Sequence, residues 1–223
     1  MPASKHHSLR CRDFELSMYK TSTILPSYLG PYEGAAKNRE EKFCRAVDSF
    51  RVQTHWAKEL IIVSDGCEKT ATLYERHYKG DHQIKLVRIE KQPLFSGNVR
   101  QAGIEAATGD VICYLDSDDY FHAHHLSNID TRMNERELDW CYYSDEIKVD
   151  TKKTIVRNVT LTHGVAGTSA IAHKRELNVS WSGCDGYGHD WMFIKKLIAA
   201  SKNVEKIYGC GYVVCHTKNG IDL

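Results

Sequence analysis

Nine consecutive residues constrain this chain most: Val111-Ile-Cys-Tyr-Leu-Asp-Ser-Asp-Asp119. Val111 to Leu115 are β-branched, aromatic or aliphatic and carry no charge, the composition of a strand covered on both faces, as in parallel sheets. Three carboxylates follow at once, at Asp116, Asp118 and Asp119. Isolated ionised groups are very costly away from water, so the cluster must face solvent, a cation or a ligand. Ligands of open α/β sheets bind beyond the carboxyl ends of the strands, which makes these acids a candidate site for a divalent metal. An acidic N-cap for the next helix would account for one of the three, two at most.

The same pattern of a strand meeting acid recurs upstream. Glu59-Leu-Ile-Ile-Val63 reads as a buried strand ending in Ser64-Asp65-Gly66, and Thr21 to Leu25 reads as an earlier one, stopped by Pro26 and opening into the turn-rich Ser27 to Gly34. Between them Phe43, Ala46, Val47 and Phe50 mark an amphipathic helix from about Ala35 to His55. A helix at 70–77 follows, then an edge-like strand at Ile84 to Ile89, where apolar and basic residues alternate. Asn98 is the predicted N-cap of a helix over 99–107 that Gly109 stops. This alternation predicts an α/β fold with a mostly parallel central sheet between helices, three layers in all.

Beyond Asp119 the pattern gives a helix at 124–137 and a strand at Trp140 to Tyr143 that again meets acid at Asp145 and Glu146. His122, His124 and His125 are expected to be solvated residues at that helix start. An irregular stretch follows, with β-prone Thr154 to Val156 and a Gly-rich loop at 163–167. Asp190 then opens a helix reaching Ala200, and Tyr212 to Cys215 closes the chain as a strand. At 223 residues the chain suits one large domain, with residues 1–17, which show no periodicity, as a tail.

Composition narrows the partners. The 30 Lys and Arg nearly balance the 29 Asp and Glu, which argues against a nucleic-acid surface or a polybasic membrane anchor. The 8 Cys show neither a C-x-x-C pair nor zinc spacing, and Cys113 and Cys215 lie in strand-like runs, as free thiols of a reducing compartment do. No stretch approaches the ~20 apolar residues of a membrane helix, and the N-terminus lacks a signal-peptide core. The expectation is a cytoplasmic protein without a membrane span.

Four segments in fixed order carry a resemblance: Thr23-Ile-Leu-Pro-Ser-Tyr28, Leu60-Ile-Ile-Val-Ser-Asp-Gly66, Gly97-Asn-Val-Arg-Gln-Ala-Gly-Ile104 with Gly109-Asp110, and Tyr114-Leu-Asp-Ser-Asp-Asp119. Together they resemble the family 2 glycosyltransferases of GT-A fold, densely from about residue 20 to 119 and more thinly beyond. The resemblance implies transfer of a sugar, with inversion, from a nucleotide-diphosphate sugar, a UDP-sugar above all, to a saccharide or other hydroxyl acceptor. The nucleotide-binding half would be 18–119 and the acceptor half 120–223. By the same resemblance Pro26, Ser27 and Tyr28 line the nucleoside pocket, Asp65 accepts a hydrogen bond from the base, and Arg100 braces the nucleotide or the acidic loop. Asp116-Ser117-Asp118 stands as the D-x-D motif, with Asp118 on Mn²⁺ or Mg²⁺ and Asp116 on the ribose or a metal water.

His216 matches a further metal ligand and, as an imidazole, favours manganese. The family's Glu-Asp pair matches His189-Asp190, so Asp190 is the implied general base, with Asp185 in reserve and His189 a departure from the pattern. An EF-hand is excluded, because its sixth and twelfth positions counted from Asp116 are Phe121 and Ser127. Two other functions are weighed. A nucleotidyltransferase needs a basic, Gly-rich phosphate loop, and Ser27 to Gly34 carries no Lys or Arg. A catalytically silent sugar- or nucleotide-binding module is left open by His189.

Overall fold

A computed structural model describes residues 18–216. In order it contains β1 (Thr21–Ser27), α1 (Arg39–Arg51), β2 (Lys58–Asp65), α2 (Glu68–His77), β3 (Ile84–Ile89), α3 (Gly97–Ala106) and β4 (Val111–Tyr114). There follow β5 (Tyr120–Phe121), α4 (His125–Glu135), β6 (Trp140–Tyr143), β7 (Asp145–Lys148), β8 (Thr154–Arg157), β9 (Ile171–Lys174), α5 (His189–Ala200), β10 (Val204–Ile207) and β11 (Tyr212–Val214). Seven strands form the main sheet in the order β10-β6-β9-β4-β1-β2-β3. Only β9 runs against its neighbours β4 and β6, so the predicted mostly parallel sheet is present, with β3 at the edge its alternation indicated.

Successive strand residues point to opposite faces, and β1 and β2 use this to build two cores. Leu25, Leu60 and Ile62 pack with Phe43, Val47 and Phe50 of α1 and with Leu126, Ile129 and Met133 of α4. Ile24, Ile61 and Val63 belong to the opposite core with Val99 of α3 and Phe193 and Leu197 of α5. The helix layers expected on both faces are therefore there. Helix α3 sits close on β1 because Gly103 has no side chain: a Cβ there would lie 2.4 Å from Ile24 Cγ2.

Several expectations are corrected. Strand β1 does not stop at Pro26 but continues to Ser27, paired with β2 to the end, because proline's fixed φ suits an extended strand at its last turn. Helix α1 begins at Arg39 rather than Ala35. The N-cap of α3 is Ser96, whose hydroxyl accepts the Asn98 N–H at 3.2 Å, and not Asn98. Asp119 caps nothing: it is buried, accepting the Cys215 N–H at 2.8 Å and the Tyr212 hydroxyl at 2.9 Å. His125 is not solvated but fully buried, stacked 4.0 Å from the Phe121 ring, with Nδ1 donating to the Cys210 carbonyl at 2.6 Å. A second, four-stranded sheet, ordered β5-β11-β7-β8, joins the expected strand at Tyr212 and the β-prone stretch at Thr154 to two strands, β5 and β7, that the sequence did not indicate. Its strands are two to four residues long, too short for an alternation to register. The tail expected at 1–17 lies outside the described residues, and the seven described cysteines are free thiols.

Candidate functional site

A cleft of about 600 Å³ opens across the carboxyl ends of β1, β2 and β4. Parallel strands necessarily deliver these ends to one edge of the sheet, which is why loops far apart in sequence meet there. Pro26, Ser27 and Tyr28 come from the end of β1, Asp65 from β2, and Asp116, Ser117 and Asp118 from the loop after β4. Arg100 enters from α3, Asp190 from the first turn of α5, and His216 from just beyond β11. Every residue the sequence singled out for the site lines this one cleft, except the reserve candidate Asp185. That carboxylate is spent elsewhere, accepting from the Ser96 hydroxyl at 3.0 Å and the Gly97 N–H at 3.2 Å, where it pins the start of α3.

At one end the cleft is aromatic. The Tyr28 and Tyr32 rings stack with centroids 6.4 Å apart, and the Arg39 guanidinium lies 4.7 Å over Tyr32. Asp65 is already engaged: Lys91 Nζ donates to it at 2.7 Å and the Gln92 N–H at 2.6 Å. The same Lys91 ammonium lies 4.4 Å from the Tyr28 ring centroid, a cation–π contact. Lys91 can come this close because residue 66 is glycine, at φ +58°, where a Cβ would meet Lys91 Cβ at 2.6 Å. Lys91 was missed in the sequence; its only signal there was the basic alternation of β3 running on past Ile89. Ser27 is buried beneath, its hydroxyl 2.8 Å from that of Thr70.

The acidic loop is held from two sides. Tyr212 accepts the Asp116 N–H at 3.0 Å and donates to Asp119, so one phenol fixes the spacing of the two aspartates. Arg45 donates to the Asp118 carbonyl at 2.7 Å. From α3, Arg100 Nη2 donates to Asp116 Oδ1 at 3.0 Å and to the Thr168 hydroxyl at 3.3 Å, with the guanidinium 5.3 Å over the Trp181 ring. Burial raises the pKa of Asp116, Arg100 pulls it back, and Asp118 and Asp190 push it up again. Asp119 is held well above the usual carboxylate range by burial and by the charges of Asp118 and Asp116. More carboxylate than counter-charge is thus gathered here, an arrangement that a bound cation relieves.

A divalent metal fits the donors present. His216 Nε2 lies 3.1 Å from the Gly34 carbonyl, an acceptor only, so that nitrogen carries the hydrogen. Asp118 and His216 both line the cleft, an oxygen and a nitrogen donor type that suit Mn²⁺. Among the described residues no group of three His, Cys, Asp or Glu side chains forms a metal cage. A metal here would draw its remaining ligands from bound diphosphate and water.

Opposite the acidic loop stands Asp190. The N-cap of α5 is Gly188, at φ +99°, which leaves the Asp190 side chain free of capping duty. His189 Nε2 lies 3.0 Å from Asp190 Oδ1, and the Thr168 hydroxyl donates to the same oxygen at 3.4 Å. Burial works to raise the Asp190 pKa, but the His189 imidazole 3.0 Å away and the charge of Arg100 outweigh it and lower it. Asp190 is therefore a carboxylate at neutral pH. Beside it Phe95, held at φ +59°, and the exposed Tyr187 meet edge to face at 6.2 Å. This aromatic rim is another feature the sequence did not disclose.

Comparison with known proteins fits this architecture. The family described as Glycosyl transferase family 2 matches residues 35–199. The chain is 34% identical over 131 residues to glycosyltransferase EpsH of Bacillus subtilis, covering 58% of this chain and 37% of that protein. It is 30% identical over 176 residues to the amylovoran biosynthesis glycosyltransferase AmsB of Erwinia amylovora, covering 70% of this chain and 55% of that protein. The chain thus spans between about a third and just over half of these relatives' length. Among solved structures, residues 1–349 of S. aureus TarS in complex with UDP-GlcNAc superpose with a TM-score of 0.67 at 18% identity, over 87% of this chain and 58% of that one. The mannosyltransferase PcManGT of Pyrobaculum calidifontis, in complex with GDP-Man and Mn²⁺, gives 0.64 at 14% identity, over 92% and 59%. With its mostly parallel sheet of GT-A type and a family match over most of its length, this chain belongs to glycosyl transferase family 2.

Proposed function

We propose that the chain is a single GT-A domain, residues 18–223, that transfers a sugar from a UDP-sugar to a saccharide or other hydroxyl acceptor with inversion, assisted by Mn²⁺ or Mg²⁺. The observation that carries this reading is one cleft in which Asp116 and Asp118 face the ionised Asp190 with Arg100 between them. Half 18–119 supplies the donor site: Pro26, Ser27 and Tyr28 flank the nucleoside, and Asp65, oriented by Lys91, accepts from the base. Asp116, fixed by Arg100, and Ser117 reach the ribose. Asp118 and His216 hold the metal, which when bound offsets the charge that grows on the departing diphosphate.

Half 120–223 supplies the acceptor side. Asp190 accepts the proton of the acceptor hydroxyl as that oxygen attacks the anomeric carbon, opposite the leaving group, which is the geometry inversion needs. Phe95 and Tyr187 border the approach. The absence of a phosphate-grasping basic loop after β1 weighs against a nucleotidyltransferase. Among the described residues no helix is long and apolar enough to cross a membrane, and the seven free thiols favour the cytoplasm.

The test is turnover. With UDP-GlcNAc, UDP-glucose and UDP-galactose in the presence of Mn²⁺, release of UDP is expected from the native protein. It should drop at least about 100-fold in Asp190→Asn, in line with loss of a general base. Full turnover in that variant refutes Asp190 as the base, and no turnover by the native protein with any donor leaves the silent binding module as the better reading.

A further inference from the structure

His189 stands where the family pattern carries Glu, and its surroundings make a demand that a single protonation state cannot meet. Its Nδ1 lies 3.1 Å from the Gly186 carbonyl, which only accepts, so Nδ1 carries a hydrogen. The other nitrogen, Nε2, faces two partners of opposite kind. Arg100 Nη1, which only donates, is 3.2 Å away, and Asp190 Oδ1, an acceptor while ionised, is 3.0 Å away. A neutral imidazole therefore offers its Nε2 lone pair to Arg100 and has no hydrogen for Asp190. A cationic imidazole donates Nε2–H to Asp190 and loses the bond from Arg100. The ring itself is packed between aromatics, stacked 5.9 Å from Phe95 and tilted against Trp181 at 6.1 Å.

From this geometry we propose that His189 is a proton relay behind Asp190: the proton that Asp190 takes from the acceptor hydroxyl passes on to His189 Nε2. The inference rests on Asp190 being the base. The step balances. The acceptor O–H bond breaks, its oxygen forms the bond to the anomeric carbon, and the sugar–diphosphate bond breaks with its electron pair leaving on the phosphate oxygen. The proton goes first to the Asp190 carboxylate and then across 3.0 Å to Nε2. Asp190 is returned to its ionised form and the positive charge rests on the imidazole, which gives the proton to solvent as product leaves.

The charged and titratable groups around the ring shape this transfer. Arg100 from α3 opposes a second positive charge beside it, and so favours return of the proton. Asp190 in α5 and Asp116 at the end of β4 favour the cation. His163 stands across Gly188, its Nε2 3.4 Å from where a Cβ on that glycine would be. Thr168 links Arg100 and Asp190 beside the ring, accepting from the guanidinium and donating to the carboxylate. His189 is a positioning and relay residue: it acts on the reaction only through Asp190.

Two measurements test the relay. Nitrogen-15 NMR of the native imidazoles, with the His189 signal identified by its loss in His189→Gln, reads the tautomer without any need for turnover. The neutral ring is expected to carry its proton on Nδ1, and protonation at Nε2 is expected to be less favoured in Asp190→Asn. A neutral ring with its proton on Nε2, or a titration indifferent to Asp190→Asn, overturns the proposal. The second measurement is the pH dependence of UDP release from the three UDP-sugars with Mn²⁺. In native protein kcat should fall on the acid side as His189 becomes charged and cannot take a proton. His189→Gln, with its fold checked by circular dichroism, should lower kcat about tenfold or more, leave the donor KM unchanged and flatten that acid limb. A native pH profile in His189→Gln overturns the relay, whereas full turnover in Asp190→Asn overturns the base assignment beneath it.

Discussion

His125 does structural duty in this molecule, and its burial has an energetic signature. Burial holds its pKa down to about 3, far below the ~6.5 of a solvated imidazole. The unfolded chain therefore takes up a proton before the folded one does, and stability contributed by the neutral ring is lost as pH falls through about 6.5. Replacing it by glutamine should lower stability at pH 7, because the bond to the Cys210 carbonyl and the stack on Phe121 are disturbed. The same replacement should make stability less dependent on pH, by about 2 kcal/mol between pH 7 and pH 5, the linkage expected of one such group. Urea unfolding of both proteins at the two pH values measures it, and equal pH dependence contradicts the buried neutral state. Sequence could not separate His125 from His122 and His124. All three follow the acidic loop, and only the packing of Phe121, Tyr143 and Tyr212 around one of them makes it core.

At the scale of elements, β11 is the brace of the acidic loop. Tyr212 lies 93 residues from Asp119 in sequence, yet its hydroxyl joins that carboxylate to the Asp116 backbone. Tyr212→Phe leaves a partly buried N–H and a buried carboxylate each short of a partner, a loss of about 2 kcal/mol at the usual cost of such groups. The expected outcome is a protein that folds, with a urea midpoint lowered to match and weaker metal-dependent UDP binding by calorimetry, since the spacing of Asp116 and Asp118 is no longer enforced. Unchanged UDP affinity would show that the loop holds its shape unaided. The elements legible in the sequence are β1 to β4 with the helices between them and, further on, α4, β6, α5 and the closing β11. The short β5, β7 and β11 owe their pairing to one another, and that pairing has no local mark.

For the whole molecule the proposed donor site makes a thermodynamic claim, because a ligand that binds only the native state stabilises it by mass action. UDP at 100 times its dissociation constant, with Mn²⁺, should add about 2.7 kcal/mol, or roughly 5–10 °C in Tm for a chain of this size. Asp118→Asn should leave the Tm of the free protein nearly unchanged and abolish the metal-dependent part of the shift; a full shift in that variant removes Asp118 from the metal site. The sequence by itself determined the layered α/β architecture and brought the acids at the strand ends to the cleft. Burial on both faces writes itself into apolar runs, and parallel strands must bring their carboxyl ends to one edge. Tertiary structure alone decided what each carboxylate does. Asp119 became a buried acceptor for β11, Asp185 a pin for α3, and Asp190 the partner of His189, because a carboxylate's charge and free lone pairs depend on the donors folded against it. Those donors, Tyr212, Ser96, Lys91 and Arg100, come from segments that no local pattern links to the acids they serve.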